Sequence, residues 1–236
     1  MDKNLAKQAA PELPTQLIKA PMVLKVLEFY SKETQEQPLL ARVVIAASQL
    51  EGSSLGCQRQ ACQFLLQRML ACAPFRGGSR WGLSYSQAGA PFLVREGLGS
   101  DLTVSMSHSA NWLVVGIAER ARIGVDVERA RHRANAGKVA DFLGWDTQIG
   151  RGSDFYPKWV LWEASAKCIG GSVLMSPNPG FERLYHLDTN QRLGASGAWS
   201  GTHGRIGGEA FYAVVLHGES SVPLSLRQLD PQAAGS

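Results

Sequence analysis

Three short stretches carry side chains that could act on a phosphorylated ligand. In WVLWEASAK, residues Trp159 to Lys167, Glu163 and Lys167 stand four residues apart and share one helical face. Glu163 could serve as a metal ligand or general base, and Lys167 as a phosphate clamp or leaving-group acid. The same spacing also describes a plain surface ion pair worth only ~0.3–0.5 kcal/mol. In IGVDVE, strand alternation turns Ile123, Val125 and Val127 one way and Asp126 and Glu128 the other. Two carboxylates about 7 Å apart at Cα suit a Mg²⁺ ion that keeps substrate phosphate oxygens among its ligands. They equally suit the wet face of a half-buried strand. In SMSHSANW, His108 reads as the turn of an apolar hairpin beside Ser107 and Ser109. It is either an exposed turn histidine or a donor to phosphate. With no GxSxG and no nucleophile elbow, the motif does not support a Ser-His-Asp hydrolase.

Regular elements must hold these groups. PLLARVVIAAS reads as a buried strand, and Cys57 to Ala73 as a helix with Ala61, Phe64, Leu65, Met69 and Cys72 on one side. DLTVSMS and NWLVVGIA form a hairpin around HSA, with RIGVDVE as a third short strand. A short helix is expected around AGKVADFLGW. The WVLWEASAK helix should start at Ser153 or Asp154, hold Pro157 in its first turn and stop at Gly170-Gly171. FERLYHL, GEAFYAVVLHG and PLSLRQL read as later strands. Both halves run helix first and end in an apolar strand, NWLVVGIAE and AFYAVVLHGE. An α+β protein of two similar α/β lobes is therefore expected: a loose extension over 1–21, one lobe over 22–120 and a second over 121–236.

Bulk properties narrow the partners. The 236 residues can bury a substantial core, and a formal charge of +4 without a block of like charge does not favour nucleic acid. A phosphorylated small molecule or an acidic protein fits that balance. The four cysteines show no CxxC spacing and read as small buried hydrophobes in a reducing compartment. The opening residues have no apolar h-region, and no run reaches the ~18 residues of a membrane span, so a cytoplasmic protein is expected.

The order and spacing of the three stretches are more specific than any one of them. The SHS-x-x-W hairpin precedes GVDVE, and Glu163 follows Asp126 by 37 residues in W-x-x-x-E-A-x-x-K. This resembles the 4′-phosphopantetheinyl transferases of the surfactin-synthetase-activating, pseudo-dimeric type, whose signature joins G-[IV]-D to W-x-x-K-E-[AS]-x-x-K. The core of the resemblance spans residues 89–171, and RQACQFLLQR resembles the family's Arg-containing helix.

The resemblance implies a fold of two lobes related by a pseudo-twofold axis, normally in a monomer. It implies Mg²⁺, coenzyme A as substrate, and transfer of the 4′-phosphopantetheine arm to a serine of an apo acyl or peptidyl carrier protein. Adenosine 3′,5′-bisphosphate would leave. Asp126, Glu128 and Glu163 would be the metal set, and Lys167 would contact the pyrophosphate. Ser107 and His108 would hold phosphate groups, and Arg59 would neutralise the 3′-phosphate. Two positions depart from the pattern: Trp162 and Ala90 stand where the family usually has lysines. Arg129 and Arg131 are the nearest candidates to replace those cations. A relative that binds CoA or a carrier protein without transfer is the second reading. An unrelated Mg²⁺-dependent phosphohydrolase is the third, and it leaves the hairpin and the tryptophan-led helix unexplained.

Overall fold

The structure is a computed structural model, described here over residues 23–29, 41–49, 55–71, 81–87, 89–95, 98–99, 102–119, 121–145, 155–173, 194–196, 199–218 and 225–228. It is a mixed α and β protein. The first half holds β1 (Val23–Phe29), β2 (Ala41–Gln49), α1 (Leu55–Ala71), β3 (Trp81–Tyr85), β4 (Pro91–Arg95), β5 (Leu98–Gly99), β6 (Leu102–Ser109) and β7 (Trp112–Glu119). There follow β8 (Arg122–Arg129), α2 (Ala136–Phe142), α3 (Phe155–Ile169), β9 (Gly194–Ser196), β10 (Trp199–Ile206), β11 (Ala210–His217) and β12 (Ser225–Gln228). The expected extension over 1–21, the FERLYHL strand and the caps Ser153 and Asp154 lie outside the described residues.

One antiparallel sheet runs β12-β1-β2-β7-β6, a second runs β8-β11-β10-β9, and β3-β4-β5 form a small third sheet. The late strand β12 thus closes onto β1, the earliest described strand. Period-2 alternation explains why β7 and β11 read as unbroken apolar runs: each strand is buried on both faces. From β7, Leu113, Val115 and Ile117 pack against Ala61, Leu65, Leu66 and Met69 of α1. Trp112, Val114 and Ala118 face the other way, onto Ile123, Val125 and Val127 of β8 and onto Val214 of β11. On β11, Phe211, Ala213 and Val215 meet α3. The two large sheets therefore pack on each other, with α1 covering the outer face of the first and α3 that of the second.

α3 is apolar almost all round, as a helix pressed between a sheet and a further helix must be. Pro157 sits in its first turn, where a missing N–H costs nothing. Its far end is a double reverse turn on Gly170, whose φ of +69° suits glycine. Gly171 N–H donates to the Ala166 carbonyl (2.9 Å) and Gly170 N–H to that of Lys167 (3.1 Å). Lys167 is thereby fixed in the last turn, where the helix dipole favours a cation. α2 ends the same way: Trp145 N–H reaches the Ala140 carbonyl (2.8 Å) after Gly144 at φ +68°. That ending carries Trp145 against α3, edge-on to Trp162 at 5.5 Å.

Cys62 and Cys168 are buried free thiols, both pushed up to about 12 by burial, so they behave as the small hydrophobes the spacing suggested. The side chains of Cys57 and Cys72 lie outside the described residues. Among the described residues no helix is long and apolar enough to cross a membrane.

Candidate functional site

The site forms where β8 runs beside β6 and beneath α3. On β6 alternate serines share one face, and each meets β8. Ser105 Oγ accepts from Val125 N–H (3.0 Å), Ser107 Oγ donates to Asp126 Oδ1 (2.8 Å), and Ser109 Oγ donates to Glu128 Oε2 (2.8 Å). Ser109 Oγ also accepts from Arg129 N–H (3.1 Å). Side-chain hydroxyls thus join the edges of the two sheets where no backbone ladder runs between them.

Gly124 sets the height of α3 above this strand. A Cβ at that position would stand 1.9 Å from the Ala164 carbonyl oxygen and 2.6 Å from Cys168 N, so only glycine lets helix and strand meet backbone to backbone. The consequence is reach. Lys167 Nζ lies 2.6 Å from Asp126 Oδ1 and donates to Ser107 Oγ at 3.0 Å. Asp126 is only 1 % exposed, and its Oδ2 has no hydrogen-bond donor among the described residues. Glu163, one helical turn before Lys167, brings its carboxyl up to Asp126. Burial first, then the charge of Asp126, pushes the Glu163 carboxyl up to about 8; Lys167 pulls the other way. A proton held between the two carboxyls, or a cation placed there, would relieve that repulsion.

The ammonium of Lys167 also opens onto a cleft of about 950 Å³. Its walls come from Ala90, Pro91 and Phe92, the β6 segment Leu102 to Met106, Arg122 at the start of β8, and the end of α3 through Ser172. Arg122 and Lys167 are the cations among the described residues that line it. Lys167 thus connects the acid pair to a space large enough for an extended ligand, although Asp126 and Glu163 are not themselves among the described residues that line it.

No protein-family model matches this chain, and no curated protein matches it.

Asp126, Glu163, Lys167 and Ser107 come together. Glu128 shares the face of Asp126 but turns to other partners: Arg133 Nη2 donates to its Oε1 at 2.9 Å while Ser109 holds Oε2. Among the described residues no three of His, Cys, Asp and Glu group as ligands of one metal ion. His108 is not in the turn. It pairs with Leu113 inside β6, because the reversal needs only Ala110 and Asn111. Alternation places it on the face of Leu102, Val104 and Met106, opposite Ser107. Arg59 lies on α1 beside Gln58, whose amide donates to the Ala110 carbonyl in that turn; the Arg59 side chain lies outside the described residues.

The two departures from the motif have different fates. Ala90 lines the cleft and is exposed. Trp162 is 5 % exposed within the aromatic cluster on α3, and its Nε1–H donates to the Val173 carbonyl (2.8 Å). Trp162 is thus a core residue that also pins the chain leaving α3, and it is not among the described residues lining the cleft. Arg129 pairs with Glu209 at 3.1 Å. The cation that does reach the acidic strand from this segment is Arg133, which sequence reading missed. Its one signal was the five-residue separation from Glu128 across a turn, which no helical or strand period marks.

Proposed function

We propose that this chain is a Mg²⁺-dependent 4′-phosphopantetheinyl transferase. It would move the arm of coenzyme A to a serine of an apo carrier protein and release adenosine 3′,5′-bisphosphate. The observation that carries the reading is the Lys167–Asp126–Glu163 constellation, made possible by Gly124, with Lys167 also lining the 950 Å³ cleft. Its members are the motif residues of GVDVE and WEASAK, and the cleft is walled by the GAPFL segment that accompanies them in the resemblance.

Topology supports the two-lobe reading. In each half a strand leads to a helix and then to a hairpin, and the strand pairs antiparallel with the hairpin's second member: β2-α1-β6-β7 in one half, β8-α3-β10-β11 in the other. That repeat of element order supports the proposed pseudo-twofold relation between two lobes.

The residues present fit a hard divalent cation. Their donors are carboxylate oxygens, and Asp126 Oδ2 is buried with no donor opposite it. Asp126 and Glu163 would hold the ion, which when bound supplies charge neutralisation for the pyrophosphate. The remaining chemistry belongs to the protein. A carrier serine oxygen attacks the phosphorus that bears pantetheine, forming a new P–O bond as the bond to the bridging oxygen breaks. The proton affinity of Glu163 is raised only while the cluster holds no ion; an ion's charge would lower it, so the serine proton would reach Glu163 through an intervening water. Lys167 Nζ, oriented by Asp126 and Ser107, stabilises and then protonates the leaving phosphate.

The test is incubation with CoA, Mg²⁺ and a panel of apo carrier proteins, read by intact mass. Addition of phosphopantetheine that disappears in Glu163→Gln supports the transferase. The second reading, a relative that binds without transferring, has one observation in its favour: exposed Ala90 in the cleft wall, where the family supplies a cation. CoA binding with no mass gain on any carrier would establish that reading instead.

A further inference from the structure

We propose that Arg133 withdraws Glu128 from the acidic cluster, leaving a two-carboxylate centre of Asp126 and Glu163 that binds one hard divalent cation. This rests on the reading of the cluster as a cation site, and it departs from the three-carboxylate set that the motif implies.

Both oxygens of Glu128 are already satisfied by charge-assisted or hydroxyl hydrogen bonds, from Arg133 Nη2 at 2.9 Å and Ser109 Oγ at 2.8 Å. The pair is well shielded, with side chains 21 % and 14 % exposed for Arg133 and Glu128. The guanidinium is held independently of Glu128. It lies 5.5 Å from the Trp159 ring centre, 5.9 Å from Tyr156 and 6.0 Å from Phe155. The segment that carries it is clamped to α3: Tyr156 OH donates to the Arg131 carbonyl (2.6 Å) and accepts from Arg131 N–H (3.0 Å). For Glu128 to turn toward an ion beside Asp126, it would have to abandon a partly buried arginine that cannot follow it.

Asp126 is in the opposite condition. It is 1 % exposed, its Oδ1 is taken by Lys167 and Ser107, its Oδ2 has no hydrogen-bond partner among the described residues, and the Glu163 carboxyl interacts with it. A buried oxygen without a donor, opposed by a second carboxyl, is where a cation gains most. Two protein carboxylates leave the rest of an octahedral ion's positions to ligand and water oxygens. Arg133 is in this view a positioning residue, since it acts through Glu128 alone.

The experiment is titration of Mn²⁺ alone into the full chain, followed by its electron paramagnetic signal, with folding of each variant checked by circular dichroism. Glu128→Gln should leave the Mn²⁺ affinity within about twofold of wild type, while Asp126→Asn and Glu163→Gln each weaken it about tenfold or more. Arg133→Gln should tighten it severalfold by releasing Glu128, and the Arg133→Gln/Glu128→Gln double variant should return it to the wild-type value. A purely structural role for Arg133 would not produce that gain and its reversal. Weakening by Glu128→Gln equal to that of Asp126→Asn overturns the proposal, as does wild-type protein that takes up no Mn²⁺ at millimolar concentration. If Arg133→Gln does not fold, the comparison of Glu128→Gln with Glu163→Gln decides alone. The transferase reading fails separately, by absence of mass gain on carriers while this pattern of Mn²⁺ affinities persists.

Discussion

Gly124 of β8 and Ala164 of α3 meet backbone to backbone, so closely that a Cβ on the glycine would stand 1.9 Å from the Ala164 carbonyl oxygen. The clash partners are main-chain atoms, which cannot swing aside. Gly124→Ala should destabilise the protein by about 3 kcal/mol or more. It should also lift Lys167 away from Asp126 in whatever molecules still fold. Urea denaturation and CoA binding check both parts, and a Gly124→Ala protein of wild-type stability would show that helix and strand are not in this contact.

Placing a lysine at position 162 should fail. The ring is 5 % exposed and edge-on to Trp145, and its Nε1–H is bonded to Val173. Trp162→Lys is expected to cost about 3–5 kcal/mol by emptying that space and burying a charge. Trp162→Phe should cost about 1 kcal/mol for the lost hydrogen bond plus a smaller packing loss. Thermal denaturation of the two variants makes the comparison.

Ala90→Lys should succeed, because position 90 is exposed and lines the cleft. Stability should stay within about 0.5 kcal/mol of wild type, while, if the proposed transferase reading holds, affinity for CoA rises about tenfold through a charge-assisted contact to phosphate. Calorimetric titration at two salt concentrations reads it, and the gain should shrink at the higher one.

Glu163 gives the protein a pH signature in the absence of divalent ions. Its carboxyl is raised from 4.5 to about 8, chiefly by burial and the charge of Asp126. Between those values the folded chain binds more protons than the unfolded one, so this group's contribution is complete below about 4.5 and is lost as pH rises toward about 8. Denaturation midpoints of wild type in EDTA should fall across that window relative to those of Glu163→Gln. A difference between the two that is flat with pH would remove Glu163 from the buried pair.

Ala110 sits at the first position of the β6–β7 turn with φ +52°, a left-handed conformation that costs a non-glycine residue about 1 kcal/mol. Ala110→Gly should therefore leave stability equal or raise it by up to about 1 kcal/mol, measured by chemical denaturation.

The elements that hold the site were largely legible in the amino-acid sequence. Alternation marked β6 and β8, unbroken apolar runs marked β7 and β11, and the Gly170-Gly171 pair marked the end of α3. β10, WSGTHGRI, was missed because Gly201 and Gly204 dilute any strand pattern. It exists as a strand because β11 pairs with it along its whole length. His108 was placed one step too far toward the turn, since nothing local distinguishes a two-residue reversal at Ala110-Asn111 from a longer loop.

By itself, the sequence determined which residue types lie on common faces: Asp126 with Glu128 on a strand, Glu163 with Lys167 on a helix. Those relations follow from periods of two and about four, which are properties of the backbone alone. Only the tertiary structure decided who meets whom across elements. It joined Lys167 to Asp126, gave Glu128 to Arg133, and sent Trp162 into the aromatic core and away from the cleft. Such pairings depend on how closely β8 and α3 approach and on where the 130–133 segment is clamped, and no spacing along the chain encodes either distance.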